Sequence, residues 1–217
     1  CSLCLSELAG GRRTRLQRDS LAMPVAEPDE EIFEVFDETN SLVGRERRSV
    51  VHKEGLIHRA CYCFVFNSRG ELLIQQRSAK KKLGPLQWDL SVAEHLEPGE
   101  AYKAAAERGL QEELGISASI LGEALAPERF RHFEAPEVGV VDREFVTAFR
   151  LDGWDGAVEV DEGEVAASKF VALNELRQWA EERAGDFTPW FLDEIGRHGW
   201  FGAAATAAAR EGALATA

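Results

Sequence analysis

Residues 94–116 constrain the fold of this 217-residue chain more than any other segment, because they specify a turn, a helix and the end of that helix. The dipeptide Pro-Gly at 98–99 predicts the turn, helix-forming residues fill positions 101–114, and Gly115 follows them as a stop signal. Glu100 lies at the start of this helix, where a carboxylate interacts favourably with the helix dipole. The segment therefore predicts a short helix with sharply defined ends.

Three charged residues of the predicted helix, Arg108, Glu112 and Glu113, are spaced for a metal site. Arg108 and Glu112 are four residues apart and share a face, so the guanidinium can hold and orient the carboxylate. Glu113 lies about 100° further round the helix, and both acids can reach one end of a cleft. Carboxylate oxygens suit Mg²⁺ or Mn²⁺, with substrate phosphates as further ligands. We favour such a site over the alternative, a solvated acidic helix face with an internal ion pair.

The same segment resembles the Nudix box, the motif G-x5-E-x7-R-E-U-x-E-E-x-G-U in which U is apolar. The matching residues are Glu100, Arg108, Leu110, Glu112, Glu113, Gly115 and Ile116. Two positions differ, since Glu94 stands at the first Gly and Gly109 replaces the Glu that follows the Arg. The resemblance implies an α/β fold, the Nudix-type α/β/α sandwich with a mixed β-sheet, in which the box helix carries the metal ligands.

The flanking residues resemble, more narrowly, the isopentenyl-diphosphate isomerase branch of the superfamily and its hydrolase relatives. The resemblance is carried by residues 55–60, 66–67, 72–78, 85–88 and 187–190. It implies a ligand histidine, an upstream histidine pair and an acidic pair, which here are His95, His58 with His52, and Asp142 with Glu144.

Two positions depart from the isomerase pattern. Ala93 occupies the position of a Cys before the box, and Phe170 stands where a Trp close to the substrate is expected. Allylic isomerisation needs an acid and a base on opposite faces of the alkene, and an alanine side chain can be neither. The departure at Ala93 therefore disfavours the isomerase reaction.

We accordingly predict a divalent-metal-dependent hydrolase that cleaves the diphosphate of a small organic molecule of the prenyl or nucleoside type. By resemblance, the metal ligands are Glu112, Glu113, His95 and Glu144, and the catalytic residues are Arg108, Glu112 and Glu144. The ion, Mg²⁺ or Mn²⁺, would polarise a phosphate oxygen and lower the pKa of the attacking water. The alternatives are an isopentenyl-diphosphate isomerase and a non-catalytic diphosphate-binding module, the second of which is motivated by Gly109 and Glu94.

The composition limits the partners and the location. A formal net charge of −13 argues against non-specific binding to nucleic acid or to an anionic membrane. No apolar run approaches the ~18 residues of a membrane span, so we expect a soluble protein whose partner is a small-molecule diphosphate, with no oligomeric state indicated. Residues 1–22 carry four arginines against Glu7 and Asp19. They predict either an organellar leader remnant, with a plastid or mitochondrial location, or a flexible tail on a cytoplasmic protein.

Three regions are predicted along the chain. Residues 1–28 form a flexible amino-terminal segment or leader remnant, residues 29–200 form the Nudix domain, and residues 201–217 form an Ala-rich tail. Cys61 and Cys63 lie in an alternating apolar stretch, where free cysteine usually behaves as a small buried residue. We interpret both as packing residues.

Alternating or apolar runs predict the strands of the domain at 31–36, 60–66, 71–76, 88–92, near 120, at 143–151 and at 164–171. The turn residues at 67–70 predict that the second and third strands form a hairpin. Residues 37–44 are predicted as a turn and residues 127–136 as a loop.

Two further helices are predicted after the last strand. One covers residues 173–183, and the other begins with Thr188 as N-cap and Pro189 at its first position. We expect the loops at 80–85 and 128–140 to select the substrate, because loops commonly carry the binding residues of a rigid scaffold.

Overall fold

A computed structural model describes residues 30–117 and 121–201 of the chain. The strands are β1 (Ile32–Phe36), β2 (Leu42–Arg47), β3 (Ile57–Val65), β4 (Leu72–Arg77), β5 (Trp88–Asp89), β6 (Val92–His95), β7 (Arg129–Ala135), β8 (Val140–Leu151) and β9 (Val165–Val171). The α-helices are α1 (Arg48–Glu54), α2 (Tyr102–Leu114), α3 (Leu173–Glu182) and α4 (Pro189–Arg197). The predicted segment 1–28, the strand near residue 120 and the tail from residue 202 lie outside the described residues.

The strands form two sheets. The larger one has the order β2–β1–β3–β8–β7, with β6 also paired to β3. Within it β3 and β8 are parallel, whereas β3 and β6, like β7 and β8, are antiparallel. The smaller sheet, with the order β5–β4–β9, is antiparallel throughout.

Strand β3 contributes to two cores on opposite faces of the larger sheet. Tyr62 and Phe64 pack with Phe191 and other residues of α3 and α4. Cys61 and Cys63 belong to the other core, with residues of α2. Successive residues of a strand point to opposite faces, so helices cover both sides of the sheet. This confirms the predicted α/β/α sandwich with a mixed β-sheet.

The predicted helix ends are confirmed. Gly115 follows α2 with a φ of 65°, and its N–H donates to the carbonyl of Gln111. This left-handed conformation favours glycine and stops the helix. At α4, the side chain of Thr188 accepts a hydrogen bond from the N–H of Phe191, and Pro189 follows it. Among the described residues, no helix has the length and apolar character needed to span a membrane.

Several local predictions were wrong. The turn expected at 37–44 is confined to the first residues of that range, because β2 begins at Leu42 and α1 follows it directly. The loop expected at 127–136 is mostly strand β7, paired along its length with β8. The strand expected at 88–92 is divided into β5 and β6, which belong to different sheets.

The predicted hairpin of β3 and β4 is also incorrect. The turn forms as expected, but a single bridge between Phe66 and Leu72 joins its two sides. Beyond this bridge β3 pairs with β8 and β6, whereas β4 pairs with β5 and β9. Turn residues specify a reversal of direction, but pairing depends on which apolar faces meet afterwards.

Candidate metal centre

Five side chains with metal-binding atoms come together at one end of the larger sheet. They are His52 on α1, His58 on β3, His95 on β6, and Asp142 and Glu144 on β8. Strand register explains the arrangement, because the parallel pairing of β3 and β8 places Glu144 beside His58. The antiparallel pairing of β3 and β6 places His95 beside Ala60, two residues from His58 and therefore on the same face.

The distances within this histidine–carboxylate centre leave room for an ion. His58 Nε2 lies 3.5 Å from Asp142 Oδ1 and 3.5 Å from Glu144 Oε1. His95 Nε2 lies 3.4 Å from the same oxygen of Glu144. The candidate ligand atoms of the three histidines lie within 4.8 Å of one another, as do those of His58, Asp142 and Glu144. These separations are long for hydrogen bonds but suit atoms that share one cation.

Unpaired polar atoms support the fit of a cation. His52 Nε2, His58 Nε2 and Asp142 Oδ1 are buried and have no hydrogen-bond partner. On the other side of its ring, His58 Nδ1 lies 3.3 Å from the carbonyl oxygen of Leu56. A proton on Nδ1 would leave Nε2 as a free acceptor, the state in which imidazole binds metal. A divalent cation would satisfy all three orphaned atoms.

The pKa values of two of the three histidines, His52 and His95, suit the same role, whereas Glu144 raises the pKa of His58 against the effect of burial. Burial, together with the neighbouring His58, lowers the pKa of His52 to about 3. Burial and the charge of Arg48 hold the pKa of His95 well below its usual range, although Glu144 opposes them. Both imidazoles are therefore neutral near pH 7, with a lone pair free for a metal ion.

Arg131, on β7, contacts one oxygen of each acid, Asp142 and Glu144. Its Nε donates to Glu144 Oε2 at 2.8 Å, and its Nη2 contacts Asp142 Oδ2 and Glu144 Oε2. The other oxygen of each carboxylate, Asp142 Oδ1 and Glu144 Oε1, faces His58. Burial alone would raise the pKa of Glu144, but the guanidinium and the histidines hold it well below its usual range. Arg131 therefore keeps Glu144 ionised and turns one oxygen of each acid toward the histidines.

A cavity of about 120 Å³ adjoins the centre. A single water molecule needs roughly 10–15 Å³ of such space, so a hydrated cation and several further atoms can enter. Acidic side chains on its wall include Glu94, Glu113 and Glu144, and cationic ones include Arg48, Arg77 and Lys81. Ala93, at the position of the expected Cys, also lines the cavity. A wall that carries both acidic and cationic side chains suits an anion that binds together with a metal ion.

Glu113 reaches this cavity from the carboxyl end of α2. Its side chain is buried, and Gln75 Nε2 donates to its Oε2 at 2.8 Å. Burial, followed by the charge of Glu94, raises the pKa of Glu113 to about 8. In the metal-free protein this carboxyl is thus mostly protonated near neutral pH, and a bound cation would compensate the charge of its ionised form.

The other predicted site residues of α2 lie outside the cavity wall. Glu112 is 59% exposed, and its Oε2 lies 3.3 Å from Arg108 Nη1. Arg108 also contacts Glu100 Oε2 at 2.9 Å, Glu94 Oε2 at 3.3 Å and the carbonyl of His95 at 2.9 Å. The structure therefore brings His95, Glu113 and Glu144 to the cavity, whereas Arg108 braces α2 against the end of β6 and Glu112 faces outward.

The cavity residues that the sequence did not predict as site residues include Arg48, Tyr62, Arg77, Arg131 and Trp190. Phe170, expected in place of a substrate-facing Trp, packs against the core under α2. Trp190 lines the cavity instead, and its Nε1 donates to Asp89 Oδ1 at 2.8 Å. The resemblance of residues 187–190 to the isomerase branch was a usable signal for Trp190. The inward position of Arg131 was not predicted, because its segment was expected to be a loop.

The raised pKa of Glu113 predicts a pH-dependent stability of the metal-free protein. The folded state keeps this proton up to about pH 8, whereas the unfolded chain releases it near 4.5. The stability from Glu113 is therefore complete below the unfolded pKa and is lost as the pH rises through the folded one. In EDTA, the free energy of unfolding of the wild type should fall with pH relative to Glu113→Gln, as measured by urea titration. Parallel pH curves for the two proteins would contradict the assignment.

Comparison with known proteins agrees with this geometry. A family model described as the NUDIX domain matches residues 56–191. An isopentenyl-diphosphate Delta-isomerase of Streptomyces avermitilis is 36% identical over 163 residues, covering 74% of this chain and 80% of the relative. A protein of Listeria monocytogenes, named an uncharacterized Nudix hydrolase, is 34% identical over 164 residues, covering 75% of this chain and 90% of the relative.

A solved structure shares the fold. The crystal structure of DR0079 from Deinococcus radiodurans superimposes with a TM-score of 0.55 and 25% identity, covering 73% of this chain and 92% of that one. The residues matched by the family model include β3, β6 and β8, which carry four of the five residues of the centre. The chain therefore belongs to the Nudix superfamily, as a member similar to the isopentenyl-diphosphate isomerases.

Proposed function

We propose that the protein is a divalent-metal-dependent hydrolase that cleaves the diphosphate of a small organic diphosphate. The observation that carries the proposal is the shared cavity, which joins the histidine–carboxylate centre and Glu113 to cationic side chains that include Arg48, Arg77 and Lys81. Ala93 lines the same cavity and has no proton to transfer. The site can thus bind a diphosphate and its metal, but it lacks the residue that the isomerase pattern places there.

The residues of the cavity have distinct roles in this proposal. His52, His58, His95, Asp142 and Glu144 would hold a divalent ion, which supplies polarisation of a phosphate oxygen and a lowered pKa of bound water. Three imidazoles beside two carboxylates favour Mn²⁺ over Mg²⁺, because nitrogen ligands suit transition metals better. The predicted roles of Glu112 and Arg108 would then be indirect, through the ion pairs that position α2 and β6.

Substrate binding would use the cationic wall. Arg48, Arg77 and Lys81 can donate charge-assisted hydrogen bonds to phosphate oxygens. Glu113 would accept the proton of an attacking water in its ionised form, which a bound cation would favour over the protonated form that burial favours without metal. The organic group, of the prenyl or nucleoside type, would pack against the apolar side chains of Trp190 and Leu83.

An isopentenyl-diphosphate isomerase is the second candidate. The three-histidine, two-acid set and the similarity to enzymes of that name favour it. Tyr62 pairs with Ala93 across β3 and β6, lines the cavity, and donates from its hydroxyl to Glu144 Oε2 at 3.3 Å. It would have to replace the missing thiol as the proton donor.

One experiment distinguishes these activities. The purified protein would be incubated in D₂O with isopentenyl diphosphate, dimethylallyl diphosphate or nucleoside diphosphates, with Mn²⁺, with Mg²⁺ or with EDTA. We expect metal-dependent release of phosphate or of a monophosphate, and ³¹P NMR would detect either product. Deuterium in the recovered diphosphate without phosphate release would support the isomerase and overturn the proposal. Tight binding without turnover under either metal would instead identify the non-catalytic binding module.

A further inference from the structure

Asp89, on β5, is fully buried and accepts hydrogen bonds from four donors. Its Oδ1 accepts from the N–H of Leu90 at 2.8 Å, from Thr188 Oγ1 at 2.9 Å and from Trp190 Nε1 at 2.8 Å. Its Oδ2 accepts from Arg77 Nη1 at 2.9 Å. Burying an ionised carboxylate costs free energy unless its charge is paired and its oxygens are hydrogen-bonded, and this carboxylate meets both conditions.

Two of the side chains that donate to Asp89 belong to the cavity wall. Arg77 and Trp190 both line the cavity, and Arg77 Cζ lies over the indole of Trp190, 5.3 Å from the ring centroid. Arg77 Nε also donates to the carbonyl of Leu83, another residue of the wall, at 2.9 Å. One buried carboxylate therefore holds both a cationic side chain assigned to the phosphates and an aromatic side chain assigned to the organic group.

The negative charge of Asp89 is matched at Arg77 and not at its other partners. The groups that donate to Oδ1 are neutral, and the amide oxygen of an asparagine could accept from them as well. The donor to Oδ2 is the charged guanidinium, whose side chain is 16% exposed beside the cavity. Its hydrogen bonds to Asp89 and Leu83 leave further N–H groups for a ligand. Packing therefore requires the shape of the Asp89 side chain, whereas the orientation of Arg77 requires its charge.

We propose that Asp89 is a positioning residue, which acts through Arg77 and holds the guanidinium in the orientation that binds a substrate phosphate. The inference deepens the proposed function and rests on it only for the binding of a diphosphate, not for its hydrolysis. Without the carboxylate, the guanidinium would lose a charge-assisted hydrogen bond and could adopt other rotamers. Binding of a phosphate would then have to order this long side chain, which costs affinity.

Binding of a non-hydrolysable diphosphate tests the inference without relying on turnover. The probe is methylenediphosphonate with Mn²⁺, and calorimetry would measure its affinity. Asp89→Asn should stay folded, because asparagine has the same shape and keeps the acceptor for the neutral donors. We expect it to bind the probe about tenfold more weakly or worse, the size of effect typical of a hydrogen bond between charged groups. In steady-state hydrolysis, KM should rise by a similar factor with little change in kcat, the pattern of lost ground-state binding.

A control separates positioning from stability. Glu194→Gln is the matched variant, because Glu194 is also a buried acid paired with an arginine, Arg129, and neither residue is among those that line the cavity. Urea titration should show that this variant is destabilised, whereas its affinity for the probe should equal that of the wild type. An equal loss of affinity in Glu194→Gln and Asp89→Asn would reduce Asp89 to a structural role and overturn the inference.

A double-mutant cycle shows whether Asp89 acts through Arg77. Arg77→Gln lacks the guanidinium, so adding Asp89→Asn to it should cause no further loss of affinity for the probe. Equal losses from Asp89→Asn in the wild type and in Arg77→Gln would overturn the inference, as would wild-type affinity of Asp89→Asn or failure of the wild type to bind the probe. If the wild type binds the probe with the expected cycle but hydrolyses nothing, the proposed function fails and this inference stands.

Discussion

Replacing Glu113 with glutamine should lower kcat of the metal-dependent hydrolysis by about 10²–10³-fold or more, the loss typical of removing one pre-organised electrostatic contact. The fold should survive, because glutamine resembles the protonated carboxyl that burial favours at this position. Its amide oxygen can still accept the hydrogen bond from Gln75. Steady-state kinetics with Mn²⁺ and a urea titration at the same pH would measure the two effects separately.

The matched control is the neighbouring acid on the same helix. Glu112→Gln removes a side chain that is 59% exposed and lies outside the cavity wall. An exposed ion pair contributes at most about 1 kcal/mol, so kcat should change little. Equal losses of kcat in both variants would support the direct metal role that the box predicts for Glu112. Full activity of Glu113→Gln would show that Glu113 has no role in catalysis.

The difference between these two acids was available in the sequence. The buried residues of α2 are Ala105, Ala106, Gly109, Leu110, Glu113 and Leu114. They follow the spacing of one helix face, with Glu113 four residues after Gly109 and Glu112 on the outer side. The motif places two acids side by side, but the apolar stripe decides which of them is buried. Reading the periodicity together with the motif would have separated their positions.

Strand β7 could not be predicted with the same ease. Its sequence contains three charged residues and a histidine between prolines at 127 and 136, a composition typical of a loop. It forms a strand because β8 pairs with it along its whole length, from Val140 to Val146. Tertiary pairing therefore overrides local preference, and with it the inward position of Arg131 was missed.

The histidine–carboxylate centre illustrates a second limit. Its ligands lie on four elements, and only strand register brings them together. No local pattern around His52 or His58 indicates a metal site, so resemblance to a family was the sole signal for them. The box helix, by contrast, was predictable from propensity, its turn and its glycine stop, because all three act within a few residues.

Replacing Arg131 with methionine should lower the free energy of unfolding by about 3–5 kcal/mol in EDTA, because a buried ion pair then loses one partner. Arg131 is 9% exposed and contacts both Asp142 and Glu144, which are themselves buried. Without the guanidinium, the two carboxylates remain beside each other and face the three histidines of the centre. Urea titration of the metal-free variant would measure the loss.

Mn²⁺ should restore part of this stability, since an ion that binds only the folded state stabilises it and would neutralise the same two carboxylates. The gain in unfolding free energy on adding Mn²⁺ should therefore be larger in Arg131→Met than in the wild type. Arg129→Met is the matched control, because Arg129 lies on the same strand and pairs with the buried Glu194, which is not one of the residues of the centre. It should be destabilised without a larger response to Mn²⁺. Equal Mn²⁺ responses in the two variants would show that Arg131 and the cation do not share the carboxylates of Asp142 and Glu144.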